Sequence, residues 1–167
     1  MREFTCDDLF RFNNVNMDKL TETYNLPFYL TYLTTWPDFN YTVESAGGRI
    51  QGYIFGKAEG KGEQWHGHVT ALTVAAEFRR IGLAKRLMNI LELVSEHIYD
   101  GYFVDLFVRQ GNKVAIGMYS DMGYITYRTV TGYYSGEEDG LDMHKALPRD
   151  AERKSMVPIK DPVSPNE

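Results

Sequence analysis

Hydrophobic positions recur along this chain with two different periods, and the switch between them sets its organisation. Leu83, Leu87, Ile90, Leu91, Val94 and Ile98 recur at helical spacing, with Lys85, Arg86, Asn89, Glu92 and Glu96 between them. That pattern predicts an amphipathic helix. Ahead of it and the turn that opens it, Val69-Thr70-Ala71-Leu72-Thr73-Val74 is β-branched and apolar, and short enough for a strand. The same reading gives strands over Arg2–Cys6, Tyr41–Ser45, Ile50–Ala58, Gln64–Val74, Tyr102–Arg109, Tyr124–Tyr134 and Leu141–Ala146. In the fifth of these, Val104, Leu106 and Val108 alternate against Phe103, Asp105 and Phe107, as in a strand buried on both sides.

Turn and cap residues place the remaining elements. Thr5-Cys6-Asp7-Asp8 has the spacing of a capping box and predicts a short helix, which Asn13, Asn14 and Asn16 end. Pro27 and Pro37 bracket a second helix, on which Tyr29, Tyr32, Leu33 and Trp36 share a face. A short fourth helix is expected around Ala115 and Met118. From Pro148 on, prolines and mixed charges give no periodicity, so residues 148–167 are expected to be an extended tail after one domain over 1–147. The order β-α-α-β-β-β-α-β-α-β-β points to an α/β fold with helices on both faces of a mixed sheet.

Composition narrows the function classes. Apolar residues make up 43% and charged residues 25%, as in an ordinary globular domain. A net charge of −5 argues against a general nucleic-acid binder, which needs a basic surface. No apolar run is long enough to span a bilayer, and the first residues lack a signal-peptide layout. The single cysteine, Cys6, excludes an internal disulfide or a cysteine-rich zinc site. A reducing, cytoplasmic setting is expected.

The chemistry centres on Arg79-Arg80-Ile81-Gly82-Leu83-Ala84, a basic, glycine-containing turn between strand and helix. Backbone N–H groups at a helix start lack intrahelical partners and the dipole there favours anions. Gly82 lets a phosphate approach the backbone, and two arginines add forked donors. The turn reads as a pyrophosphate cradle. It is neither a nucleotide P-loop, since no Gly-Lys-Ser/Thr follows, nor a Gly-x-Gly-x-x-Gly fingerprint.

Arg79-x-x-Gly82-x-Ala84 resembles the acetyl-CoA signature of the GNAT acetyltransferases. Asn112 to Tyr124 resembles the family's Asn-x-x-Ala-x-x-x-Tyr-x-x-x-Gly-Tyr segment, and arrives one strand after the helix. The resemblance implies a GNAT fold: a mostly antiparallel, mixed seven-stranded sheet splayed between the fourth and fifth strands, with pantetheine entering the gap. It implies that backbone amides around Leu72, Thr73 and Val74 polarise the thioester carbonyl. It makes Tyr119 the acid for the departing thiolate, with Asn112 holding pantetheine or ordering its segment.

Phe4 to Phe10, Leu20 to Tyr24, Trp65 to Leu72 and Tyr133-Tyr134 resemble more narrowly the NatB-type N-terminal acetyltransferases. On that resemblance the acceptor is the α-amine of chains starting Met-Asp, Met-Glu, Met-Asn or Met-Gln. Glu22 and Tyr24 would shape a loop over the peptide, and Tyr133 and Tyr134 would bond its backbone. His68 and Thr70 would bind the second side chain, His68 as a neutral N–H donor. The implied partners are a large helical auxiliary subunit, seated on the first two helices, and nascent chains at the ribosome. An α-amine, with a pKa of about 8, needs a weaker base than a lysine near 10.4, and no carboxylate occupies an unmistakable base position. Two other readings stay open. One is a non-catalytic acyl-CoA or partner-binding module, the other an acetyltransferase for lysine or small amines. His66 and His68 have strand-borne metal spacing, but no third ligand is evident and no metal is expected.

Overall fold

The computed structural model describes residues 1–164. Seven strands are present: β1 (Arg2–Glu3), β2 (Tyr41–Glu44), β3 (Ile50–Glu59), β4 (His66–Val74), β5 (Phe103–Arg109), β6 (Ile125–Tyr134) and β7 (Glu138–Ala146). Three α-helices accompany them: α1 (Leu26–Thr35), α2 (Leu83–His97) and α3 (Lys113–Asp121). The strand order is β1-β2-β3-β4-β5-β7-β6. The sheet is mixed: β4 and β5 run parallel, whereas β1–β2, β2–β3, β5–β7 and β6–β7 are antiparallel.

The chain forms two compact units, Met1–Ala58 with Val69–Val94, and Glu59–His68 with Ser95 onward. The first has an aromatic core in which Phe4, Phe12, Tyr29, Tyr53 and Phe55 are buried. Their rings meet mostly edge-to-face, Phe4 at 4.8 Å from Phe55 and Phe12 at 5.4 Å from Tyr29. In the second, Val104, Leu106, Val108, Leu141 and Met143 are buried on β5 and β7.

Several elements differ from their sequence-based bounds, each for a local reason. β1 is two residues long and does not extend to Cys6, because the Asp8 carboxylate accepts the Thr5 N–H at 2.9 Å and turns the chain. The helix that follows is a five-residue 3₁₀ turn, Cys6–Phe10, with the expected capping box. In α1, Asn25 caps the Phe28 N–H at 3.0 Å and Pro27 occupies the first turn, so the helix starts where proline's missing donor costs nothing. On α2, Leu83, Leu87, Met88, Leu91 and Val94 are buried, while Ile98 lies beyond the helix end and is exposed. Met88 replaces Ile98 on the buried face because 3.6-residue spacing brings it beside Leu91.

Residues beyond Leu147 follow β6 and β7. Asp150 is buried and accepts hydrogen bonds from the Lys154 N–H, the Ser155 N–H and the Ser155 hydroxyl, which closes a 3₁₀ turn over Lys154–Met156. The chain then extends along β6. The Ile159 N–H donates to the Tyr127 carbonyl at 2.7 Å, and Val163 bridges Val130. Residues 165–167 of the tail lie outside the described residues.

Candidate active site

In the first unit, β4 ends at Val74 and leads through the turn over residues 75–82 into α2. Arg80 has φ +68° and Gly82 φ +83°. A Cβ at Gly82 would meet nothing within 4 Å, so glycine is required there by backbone conformation and the space beside it is open. Arg80, Ile81, Lys85 and Arg86 are exposed around the helix start, whereas Leu83 is buried and anchors it. Arg79 is already engaged: its Nε–H donates to the Val74 carbonyl at 2.9 Å and its Nη2 to Asp18 at 2.6 Å. Of the two arginines, Arg79 therefore fixes the turn, and Arg80 is the one displayed on it. An open, cationic turn ahead of a fifteen-residue helix fits a pyrophosphate.

The same unit holds Glu22, Tyr24 and Thr70. The Tyr24 ring stacks on Phe28 at 4.0 Å, and Phe28 stacks on Tyr32 at 4.6 Å. Tyr32 completes the chain through a 2.8 Å hydrogen bond between its hydroxyl and that of Thr70. The Tyr24 N–H donates to the Tyr29 hydroxyl at 3.1 Å. Exposed Glu22 sits on the loop that this aromatic column holds in place. Leu72, Thr73 and Val74 occupy the end of β4, where the Ala75 N–H donates to the Gln51 carbonyl at 2.9 Å.

The second unit brings His68, Tyr133, Tyr134, Asn112 and Tyr119 into one body. His68 Nδ1 lies 2.7 Å from Asp105 Oδ1. His66 Nε2 lies 3.3 Å from the same oxygen, at an angle short of a hydrogen bond, and Glu59 Oε1 is 3.9 Å from each histidine. Burial alone would raise the Asp105 carboxyl, but His68 and His66 beside it outweigh that and hold it well below the usual carboxylate range. Burial alone would likewise lower the His66 ring, and the Asp105 contact overrides it and raises it.

The Tyr133 ring stacks on Phe107 at 4.4 Å, and the Arg109 guanidinium lies 4.2 Å from the centre of the Tyr134 ring. Both tyrosines belong to the end of β6. Asn112 caps α3, its side chain accepting the Ala115 N–H at 3.2 Å, which is an ordering role. Tyr119 is buried on α3, and burial pushes its phenol well above the usual range, so it remains protonated at neutral pH. Its ring meets Tyr124 edge-on at 6.0 Å.

Residues 7–124 match the model of the acetyltransferase (GNAT) family. The chain belongs to the GNAT acetyltransferase family. Within it, the chain is 65% identical over 167 residues to N-alpha-acetyltransferase 20 of Dictyostelium discoideum, covering 100% of this chain and 96% of that one. It is 60% identical to the N-terminal acetyltransferase B complex catalytic subunit of Arabidopsis thaliana, over 100% of this chain and 96% of the other. Its fold is similar to that of Chaetomium thermophilum Naa20 in complex with a bisubstrate analogue. The TM-score there is 0.93 at 39% identity, over 99% of this chain and 96% of that one.

Sequence reasoning missed part of this GNAT site. The sequence puts Tyr32 on a helix face and does not single out Phe28, yet together they tie Tyr24 to Thr70. Asp105 was visible as an acidic residue in an otherwise apolar strand, yet nothing in the sequence pairs it with β4. No third ligand beside His66 and His68 was evident either, whereas the fold brings Glu59 and Asp105 to them. The neutral-donor expectation for His68 also changes. Asp105 is an anion that only accepts, so His68 donates through Nδ1, and its neutral form keeps Nε2 as an acceptor.

Proposed function

We propose that this chain is the catalytic subunit of a NatB-type N-terminal acetyltransferase. It moves acetyl from acetyl-CoA to the α-amine of chains beginning Met-Asp, Met-Glu, Met-Asn or Met-Gln. The reading is carried by one combination in a GNAT chain: an open glycine turn at the start of α2, and a buried, protonated Tyr119. It places the protein in the cytoplasm, acting on nascent chains at the ribosome beside a large helical auxiliary subunit. Among the described residues no helix is long and apolar enough to cross a membrane.

Acetyl-CoA, when bound, supplies the acyl thioester. Arg80 and the backbone of Ile81 to Ala84 hold its pyrophosphate, with Arg79 keeping the turn in shape. Amides around Leu72, Thr73 and Val74 are the donors for the developing oxyanion. Tyr119 Oη holds the proton that a departing thiolate needs. Glu22 and Tyr24 frame the peptide, Tyr133 and Tyr134 bond its backbone, and His68 with Thr70 reads its second side chain. Met-Asp peptides should release CoA, while Ser-Asp peptides and N-terminally blocked Met-Asp peptides should not. Equal release from all three would remove the NatB assignment.

The cradle has its own test. Arg80→Ala should raise the acetyl-CoA KM about tenfold, as expected for a charge-assisted contact worth roughly 1.5 kcal/mol. Added salt should shrink that difference, and the peptide KM should stay nearly constant. The double variant with Arg79→Ala should be worse, because the Val74 and Asp18 contacts go as well. An unchanged acetyl-CoA KM in the double variant would take the turn out of the cofactor site.

A further inference from the structure

His66 and His68 are two residues apart on β4, and both meet one carboxylate oxygen of Asp105 on β5. The His66 Nδ1 is 2.6 Å from the Gln64 carbonyl oxygen, which can only accept. Its Nε2 faces the Asp105 carboxylate, which also only accepts. Both ring nitrogens of His66 thus face acceptors, and the doubly protonated ring is the form that suits them. A charged His66 balances the Asp105 anion and keeps it an acceptor for the His68 Nδ1 proton. The other groups around this pair are Glu59 from β3, Tyr133 and Arg128 from β6, and Asp142 and His144 from β7. Of these, Asp142 is held by Arg128 at 2.8 Å through Oδ2, while its Oδ1 lies 3.0 Å from His144 Nε2 without a hydrogen bond.

We propose that Asp105 is a positioning residue for specificity. By taking the Nδ1 proton of His68, it commits Nε2 to the second side chain of the peptide, as a donor when the ring is charged and as an acceptor when it is neutral. Asp and Glu side chains, which only accept, are read by the charged ring. Asn and Gln carry both an acceptor and a donor and are read by either form. One ring thereby accommodates four side chains, and its charge sets the balance between acids and amides. This rests on the proposed assignment of His68 to the second residue.

The ratio of kcat/KM for a Met-Asp peptide to that for the matched Met-Asn peptide tests it. Deprotonation of the peptide α-amine affects both substrates alike and cancels in that ratio. In the wild-type full chain, assayed with its auxiliary subunit, the ratio should fall at least tenfold between mildly acidic and mildly alkaline pH. In Asp105→Asn, which removes the anion facing the Nδ1 proton, the pH profile of that ratio should be displaced from the wild-type one, whatever happens to overall turnover. A purely structural role for Asp105 would lower both peptides together and leave the ratio's pH profile in place. A ratio flat with pH in the wild type would overturn the proposal.

Histidine-selective ¹⁵N spectra of the wild-type chain supply a readout that needs neither a variant nor turnover. His68 should carry its proton on Nδ1 when neutral, and His66 should stay protonated at both nitrogens to higher pH than an ordinary histidine. An unprotonated His68 Nδ1 would overturn the proposal. If neither peptide is turned over but the spectra show this arrangement, the NatB assignment fails and the Asp105–His68 proton placement stands.

Discussion

Tyr119→Phe is expected to lower kcat by about 10²–10⁴-fold, the usual contribution of a general acid, while acetyl-CoA binding stays close to wild type. Phenylalanine keeps the ring and its edge-on contact with Tyr124, and removes only the hydroxyl. Burial makes the phenol a stable reservoir for one proton: with its pKa pushed up, it is not lost to solvent at neutral pH. The same burial makes the phenolate costly, so the proton must return quickly once the thiolate has taken it. The variant should therefore show a slow chemical step in single-turnover assays with an unchanged dissociation constant for CoA. A wild-type kcat would make Tyr119 a packing residue and leave water as the acid.

The second large effect concerns stability. Asp8→Ala should cost about 2–3 kcal/mol. Asp8 is 1% exposed, accepts from Arg2 Nη1 at 2.7 Å and Nη2 at 2.8 Å, and caps the Thr5 N–H at 2.9 Å. Breaking a fully buried pair costs about 3–5 kcal/mol. The Arg2 side chain is 37% exposed and retains Glu44 at 2.8 Å, so solvent screening brings the figure down. For a chain of this length, that loss lowers Tm by roughly 5–10 °C.

The hydrogen bonds from Arg2, opposed by burial, hold the Asp8 carboxyl below its usual range. Its stabilising contribution is thus fully present above the unfolded pKa, about 4, and is lost as pH falls through the lower folded value. Acid titration of the wild type should show this loss, and Asp8→Ala should lack it. Identical melting temperatures at neutral pH would mean that the N-terminal turn carries no stability.

Local signals in the sequence located most of the elements. The capping box at Thr5, the flanking prolines of α1 and the periodicity of α2 depend on neighbours close in the chain. Gly82 was legible for the same reason, because a left-handed residue before a helix is a local requirement. What could not be read were pairings between elements distant in the chain. Asp105 meets His68 from thirty-seven residues away, and Tyr32 meets Thr70 across thirty-eight. Neither pairing leaves a mark in the periodicity of its own segment. The His68 tautomer follows from such a pairing, so a sequence reading of that ring as a neutral donor had no means of finding its partner. Arg79 is a similar case: its spacing places it in the cradle, while its engagement with Val74 and Asp18 depends on the folded loop that carries Asp18.

The central claim, transfer of acetyl to a peptide α-amine, is tested most directly by locating the acetyl group on the product. A peptide beginning Met-Asp with one internal lysine, incubated with acetyl-CoA and the full chain with its auxiliary subunit, separates the readings by fragment mass. The account predicts one acetyl group, on the N-terminal methionine fragment, with the lysine fragment unmodified. Acetyl on the lysine, or no product when CoA is demonstrably bound, would contradict it.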